Sequence, residues 1–257
     1  MTEYILKITN VKEFMLINIK FNPKCNSISQ SVIFFILALF YCNAHGGEMV
    51  GYWDQGWRNV TPPSEANLSI GFMGYSDVIT ALEDNKKLIN RMVGQKYLAI
   101  GGGNEKGKFT PLAIKKISKA IREKRFSGYQ GVAFDIEVCE GNHLIKYFSE
   151  VFSVAQKNKL MVLVTISHSE PYACKDSKNL MMAILNDRNI NFISPQLYTT
   201  GQEKKNNFIS IGTHWEIYQK TKAEILPSIV HPSLYPEAKK FFISKGVKVR
   251  GFIKWGK

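Results

Sequence analysis

The sequence predicts an α/β protein, and within that class a small (β/α)8 barrel with few insertions. Three observations carry this. From residue 48 onward, eight short apolar runs recur at intervals of about 20–36 residues. Helix-like stretches fill most of the intervals, so successive strands return to the same end of a sheet and lie parallel. A chain of 257 residues also suits a barrel that folds as one unit, and eight parallel strands close naturally on themselves.

The expected strands span residues 49–53, 68–73, 97–100, 132–137, 161–166, 192–198, 225–230 and 249–254. The helix over 76–92 has a Ser/Asp start, and that over 110–124 has Thr110 as N-cap with Pro111 in first position. Helices over 142–157, 177–187 and 236–245 follow, the last stopping before Gly246. The first and last helices of the alternation are reduced. In a TIM barrel of this kind the site lies at the C-terminal ends of the strands.

The fourth strand ends in the richest stretch of the chain, Gln130-Gly131-Val132-Ala133-Phe134-Asp135-Ile136-Glu137. Alternate side chains of a strand share a face, so Ala133, Asp135 and Glu137 are expected to point the same way. Two carboxyls so placed do not both ionise freely, and one becomes a candidate proton donor. A salt-bridged structural pair is the other reading of the same residues.

With 45% hydrophobic and 12% aromatic residues the chain can bury a large core, which excludes a disordered protein. The net charge of +13 fits a solvated basic surface or attraction to anionic polymers, while no nucleic-acid motif with interleaved aromatics is present. Residues 32–41 are apolar over too short a length to span a bilayer. With Lys20 and Lys24 before them and a small-x-small ending at Ala44, they read as a secretory signal cleaved near Ala44. Residues 1–44 are therefore expected to be an upstream extension plus signal, with Met15 the better start, and residues 45–257 the secreted domain. An uncleaved anchor and a buried core helix are the alternatives. Cys25 and Cys42 would leave with the signal, so Cys139 and Cys174 remain as a possible disulfide between adjacent strand-end loops.

Gly101-Gly102-Gly103 ends the third strand and suits tight turning. Its spacing to Lys108 is phosphate-loop-like, but Phe109 occupies the required Ser/Thr position. Ser167-His168-Ser169 places a serine beside a histidine without a nucleophile elbow, so His168 is read as pocket lining or packing. The five histidines show no metal-ligand spacing.

Gly131 followed by Asp135-Ile136-Glu137 resembles the acidic strand of glycoside hydrolase family 18, in wording closest to the plant class III chitinases. Gln130 and Ala133 stand where that family has its first two aspartates. Gly51-Tyr52-Trp53-Asp54-Gln55 is similar to the family's first strand, Tyr97–Gly103 to its third with Ala99 for a serine, and Ser194-Pro195-Gln196-Leu197-Tyr198 to its sixth. Phe72 and Trp255 match family aromatics, the latter the tryptophan that floors a sugar subsite. A family cysteine resembles Cys174, though its usual partner after the sixth strand is missing. The resemblance covers residues 48–257.

It implies a secreted chitinase-like hydrolase of β-1,4-linked N-acetylglucosamine polymers, retaining and substrate-assisted. Glu137 would be the acid, Asp135 and Tyr198 would stabilise the intermediate, and Tyr52, Phe72, Gln196 and Trp255 would bind sugar. No metal, nucleotide or other cofactor is implied, nor a nucleic-acid partner or a membrane span. Without a carboxylate at Ala133, Asp135 is expected to ionise more readily than in relatives. Two rivals keep the fold: a sugar-binding lectin of weak or no activity, and an inhibitor or surface-interaction protein that uses the barrel as a scaffold.

Overall fold

The computed structural model describes residues 47–167, 171, 173–210 and 213–256. The expected signal, Cys25, Cys42 and His168 lie outside the described residues.

Nine strand segments make one closed parallel sheet: β1 (Met49–Gln55), β2 (Leu68–Phe72), β3 (Gln95–Gly101), β4 (Gly131–Asp135), β5 (Met161–Ser167), β6 (Phe192–Gln196), β7 (Glu224–Ile225), β8 (Ser228–Ile229) and β9 (Gly251–Lys254). Strand β1 pairs with both β2 and β9, and β5 with β6, which closes the barrel. The segments β7 and β8 form a single stave between β6 and β9, which gives eight staves. Pro227 lies at the break, where a residue without an N–H has no ladder bond to donate.

The helices are α1 (Val78–Asn85), α2 (Pro111–Arg122), α3 (Leu144–Lys157), α4 (Ser177–Asn186) and α5 (Tyr235–Ser244). Asp77 caps α1 by accepting from the Thr80 amide at 3.0 Å, and Thr110 caps α2 by accepting from that of Ala113 at 3.2 Å. The first helix is far shorter than the expected 76–92. At its last residue the buried Asn85 side chain turns back to the Ala81 carbonyl, and the chain continues in turns. No helix separates β1 from β2, and a 3-10 segment, Trp215–Lys220, takes the place of one before β7. None of the helices among the described residues is long and apolar enough to cross a membrane.

The period of two along each strand divides the apolar residues into two cores. Trp53, Ile70, Tyr97, Ala133, Leu163 and Ile253 fill the barrel. Leu98, Val132, Phe134 and Val164 face outward against Ile117, Phe148 and Phe152 of the helices. Towards the C-terminal ends of the strands the interior turns polar, with Gln55, Asp135, Thr165, Ser194, Gln196 and Ser228 all buried. This layer is internally bonded. The Trp53 indole N–H donates to Ser228 Oγ at 3.1 Å, the Ser194 and Ser228 hydroxyls pair at 2.9 Å, and Thr165 donates to the Ser194 carbonyl at 2.8 Å. Gln130 takes no part in it. At the start of β4 its side-chain oxygen accepts from the Lys96 amide at 2.8 Å.

Candidate active site

The site is built where β4 ends. The strand stops at Asp135, two residues short of the expected end, yet Glu137 keeps the side of Asp135 as the alternation predicts. Beyond Ile136 the chain changes partner. The Ala173 amide donates to the Glu137 carbonyl at 3.1 Å, and the Cys139 amide to the Ala173 carbonyl at 3.1 Å. On the other side the Phe109 amide donates to the Val138 carbonyl at 2.9 Å. Cys139 and Cys174 form a disulfide with Cα atoms 4.5 Å apart, and the Cys174 sulfur lies 3.8 Å from the Glu137 carbonyl oxygen. A short cross-linked ladder therefore sets the backbone of Glu137 after the barrel strand has ended.

That ladder brings the Glu137 carboxyl back to Asp135. The Gln196 amide nitrogen donates to Asp135 Oδ1 at 3.2 Å and to Glu137 Oε1 at 3.1 Å. Gln196 is the last residue of β6, so the sheet itself fixes the donor. Asp135 is buried on the barrel interior. Burial first, then the charge of Glu137 and a hydrogen bond to it, hold the Asp135 carboxyl well above the usual carboxylate range. Ala133 and Ala99 line the interior beside it.

Tyr198 follows β6 and is buried, its ring stacked on Trp255 with centroids 5.6 Å apart. Burial, then the charges of Asp135 and Glu137, push its phenol well above the ordinary tyrosine value. The hydroxyl is buried without a well-formed hydrogen bond, although the Ser228 hydroxyl lies beside it. Phe72 and Trp255 meet edge to face at 5.6 Å.

Of the expected residues, the structure brings together Asp135, Glu137, Gln196, Tyr198, Phe72 and Trp255. Tyr52 is corrected: it faces the helix layer with Asp54, beside Ser69 and the Val93 carbonyl, because in β1 the inward side chains are Trp53 and Gln55. Trp53 packs edge to face on both Phe72 and Trp255, at 5.3 and 5.9 Å. Two further residues went unmarked in the sequence, Trp57 and Arg58 on the β1–β2 loop. Trp57 meets Phe72 at 5.6 Å, and Arg58 lies 5.6 Å over the Trp255 ring while donating to its carbonyl at 2.8 Å. No periodicity marks a loop residue, so only its aromatic and basic character could have signalled it. Among the described residues no group of three His, Cys, Asp or Glu side chains is placed to hold a metal ion.

No protein-family model matches this chain, and no curated protein sequence matches it. Solved structures do. A chitinase A candidate from Streptomyces coelicolor aligns over 81% of this chain and 92% of its own, at 13% identity and a TM-score of 0.52. A copper homeostasis protein candidate, CutC, from Streptococcus agalactiae aligns over 81% and 98%, at 13% identity and 0.50. An endo-β-N-acetylglucosaminidase from Cordyceps militaris, in complex with fucosyl-N-acetylglucosamine-Asn, aligns over 91% and 87%, at 14% identity and 0.47. At such identities the likeness shows the fold alone: a closed parallel (β/α)8 barrel shared by proteins of different activities.

Proposed function

We propose that the protein is a glycoside hydrolase acting on β-1,4-linked N-acetylglucosamine polymers, with retention and with help from the substrate's own acetamido group. The observation that carries this reading is the single Gln196 amide bridging Asp135 and Glu137; the reading places the proton of the pair on Asp135, whose carboxyl burial and the charge of Glu137 raise. Passing that proton to Glu137 makes Glu137 the acid and leaves Asp135 anionic. Glu137 protonates the glycosidic oxygen, the bond to the anomeric carbon breaks, and the acetamido oxygen closes on that carbon. The resulting oxazolinium is cationic, and the Asp135 carboxylate offsets its charge while Gln196 holds both carboxyls in place. Water then opens the ring, and Glu137 takes its proton. The scheme departs from the two-carboxylate displacement of other retaining enzymes because the nucleophile belongs to the substrate. Phe72, Trp255 and Trp53 supply the aromatic surface that a pyranose ring covers.

A sugar-binding protein without turnover is the second reading, and the burial of the Tyr198 hydroxyl against Trp255 is the observation that favours it. Hydrolysis of a chromogenic N-acetylglucosamine oligomer, compared between the wild type and Glu137→Gln, separates the two. Turnover abolished by the substitution supports the enzyme; oligomer binding with no turnover in either protein supports the lectin.

A further inference from the structure

The β1–β2 loop places one cation in an unusual position. Arg58 has no carboxylate within ion-pair distance among the described residues, and its only side-chain hydrogen bond goes from Nη2 to the Trp255 carbonyl. Its Nε–H is buried without a partner. Lys254, 7% exposed beneath the same loop, is likewise matched only by a carbonyl, that of Thr61 at 2.9 Å. Burial works against the charge of both side chains. Uncompensated cations that burial disfavours are costly unless an anion arrives to pair with them.

Beside Arg58, Trp57 presents 58% of its surface to solvent while its ring edge rests on Phe72. An exposed aromatic ring next to a guanidinium matches a sugar ring that bears a carboxylate: the indole covers the pyranose C–H face, and the terminal Nη groups, one of them already donating to the Trp255 carbonyl, meet the carboxylate. The proposed chemistry argues in the same direction. A guanidinium over Trp255, on which the Tyr198 ring stacks, opposes the cationic oxazolinium when the sugar is neutral. A substrate carboxylate paired with Arg58 removes that opposition.

We infer that Trp57 and Arg58 select a carboxylated amino-sugar polymer, one in which N-acetylglucosamine alternates with a carboxylate-bearing N-acetylated sugar. This rests on the reading of the site as one that cleaves N-acetylglucosamine glycans. The test uses three tetrasaccharides: alternating N-acetylglucosamine and N-acetylmuramic acid, the methyl ester of that compound, and the N-acetylglucosamine tetramer. Binding isotherms and cleavage rates are measured at low and high salt. Wild type should bind the acid roughly ten- to hundredfold more tightly than its ester, an advantage that shrinks as salt rises. Arg58→Gln should bring acid and ester together, and Arg58→Lys should keep part of the difference. Equal binding of acid and ester by wild type, a comparison that needs no variant, overturns the inference. So does an Arg58→Gln variant that weakens both alike. Acid preference without cleavage of any of the three upholds Arg58 and Trp57 as the selecting pair while rejecting the hydrolase reading.

Discussion

The carboxyl groups of Asp135 and Glu137 converge on one Gln196 amide although only Asp135 belongs to a barrel strand. The barrel sets one half of the pair and its donor. The cross-linked segment around Cys139 and Ala173 sets the other half. Precision at the site therefore depends on two structural units whose stabilities differ, a closed sheet and a surface ladder of a few hydrogen bonds. Each unit can be perturbed separately.

Asp135→Asn isolates the buried proton. Asparagine keeps the shape and can still donate to Glu137, but it never ionises. In the wild type the folded state holds the Asp135 proton more tightly than the unfolded chain does. Stability is then fully present below the unfolded value of about 4 and falls as pH rises from there through the folded value. The variant should lack that decline and melt at a higher temperature than wild type at neutral pH. Its turnover should drop on the order of a hundredfold or more, because the charge that offsets the oxazolinium is gone. Thermal melts across pH 4–9 alongside oligomer hydrolysis check both halves; a variant that melts lower than wild type at every pH would contradict the assigned proton.

Glu137→Gln removes the acid itself. A positioned general acid contributes about 10²–10⁴-fold, so kcat should fall within that range while oligomer binding stays close to wild type. Tyr198→Phe should cost less turnover than Asp135→Asn, since it removes a neutral hydroxyl and not a charge. Deleting a buried hydroxyl that lacks a well-formed bond should also raise stability slightly, by up to about 1 kcal/mol. Steady-state kinetics and denaturant titrations of the two variants give the comparison.

Much of this arrangement was legible in the residue pattern. Apolar runs at barrel spacing located every stave, parity put Asp135 and Glu137 on one face, and the family resemblance supplied Gln196 and Phe72. The misses share a physical cause. Tyr52 enters as a sugar contact through the resemblance of the first strand, and parity alone leaves open which of the adjacent Tyr52 and Trp53 rings faces in; the outward pairing of Asp54 with Arg91 decides it. The charges near Asp135 can be counted in a sequence, whereas its desolvation depends on closure of the barrel over Ala99 and Ala133. Trp57 and Arg58 lie in a loop, where no period constrains direction.

Gly201 offers a way to move Trp255 without touching it chemically. The residue has φ +76°, and an added Cβ would meet the Trp255 indole nitrogen at 2.1 Å. Gly201→Ala must therefore shift the loop or the ring, and it also places a side chain in left-handed backbone at about 1 kcal/mol. The expected result is a folded protein with a small loss of stability and oligomer affinity weakened about tenfold or more. Tryptophan fluorescence should change with it. An unchanged isotherm would remove Trp255 from the sugar-binding surface.

The Cys139–Cys174 bond makes the last prediction, because it closes a segment of 35 residues and fastens the backbone of the acid at the same time. By loop closure alone its loss should cost about 2–4 kcal/mol. A purely structural bond would leave the remaining folded protein fully active. Here the Glu137 carbonyl is held by the Ala173 amide and touched by the Cys174 sulfur, so loosening the ladder frees the acid from its place on Gln196. The double variant Cys139→Ser/Cys174→Ser should therefore lose kcat more than it loses oligomer binding, even at temperatures where it remains folded. Dithiothreitol should reproduce the effect in the wild type and have none in the double variant. If kcat falls only in proportion to the unfolded fraction read by circular dichroism, the disulfide stabilises the barrel without positioning Glu137.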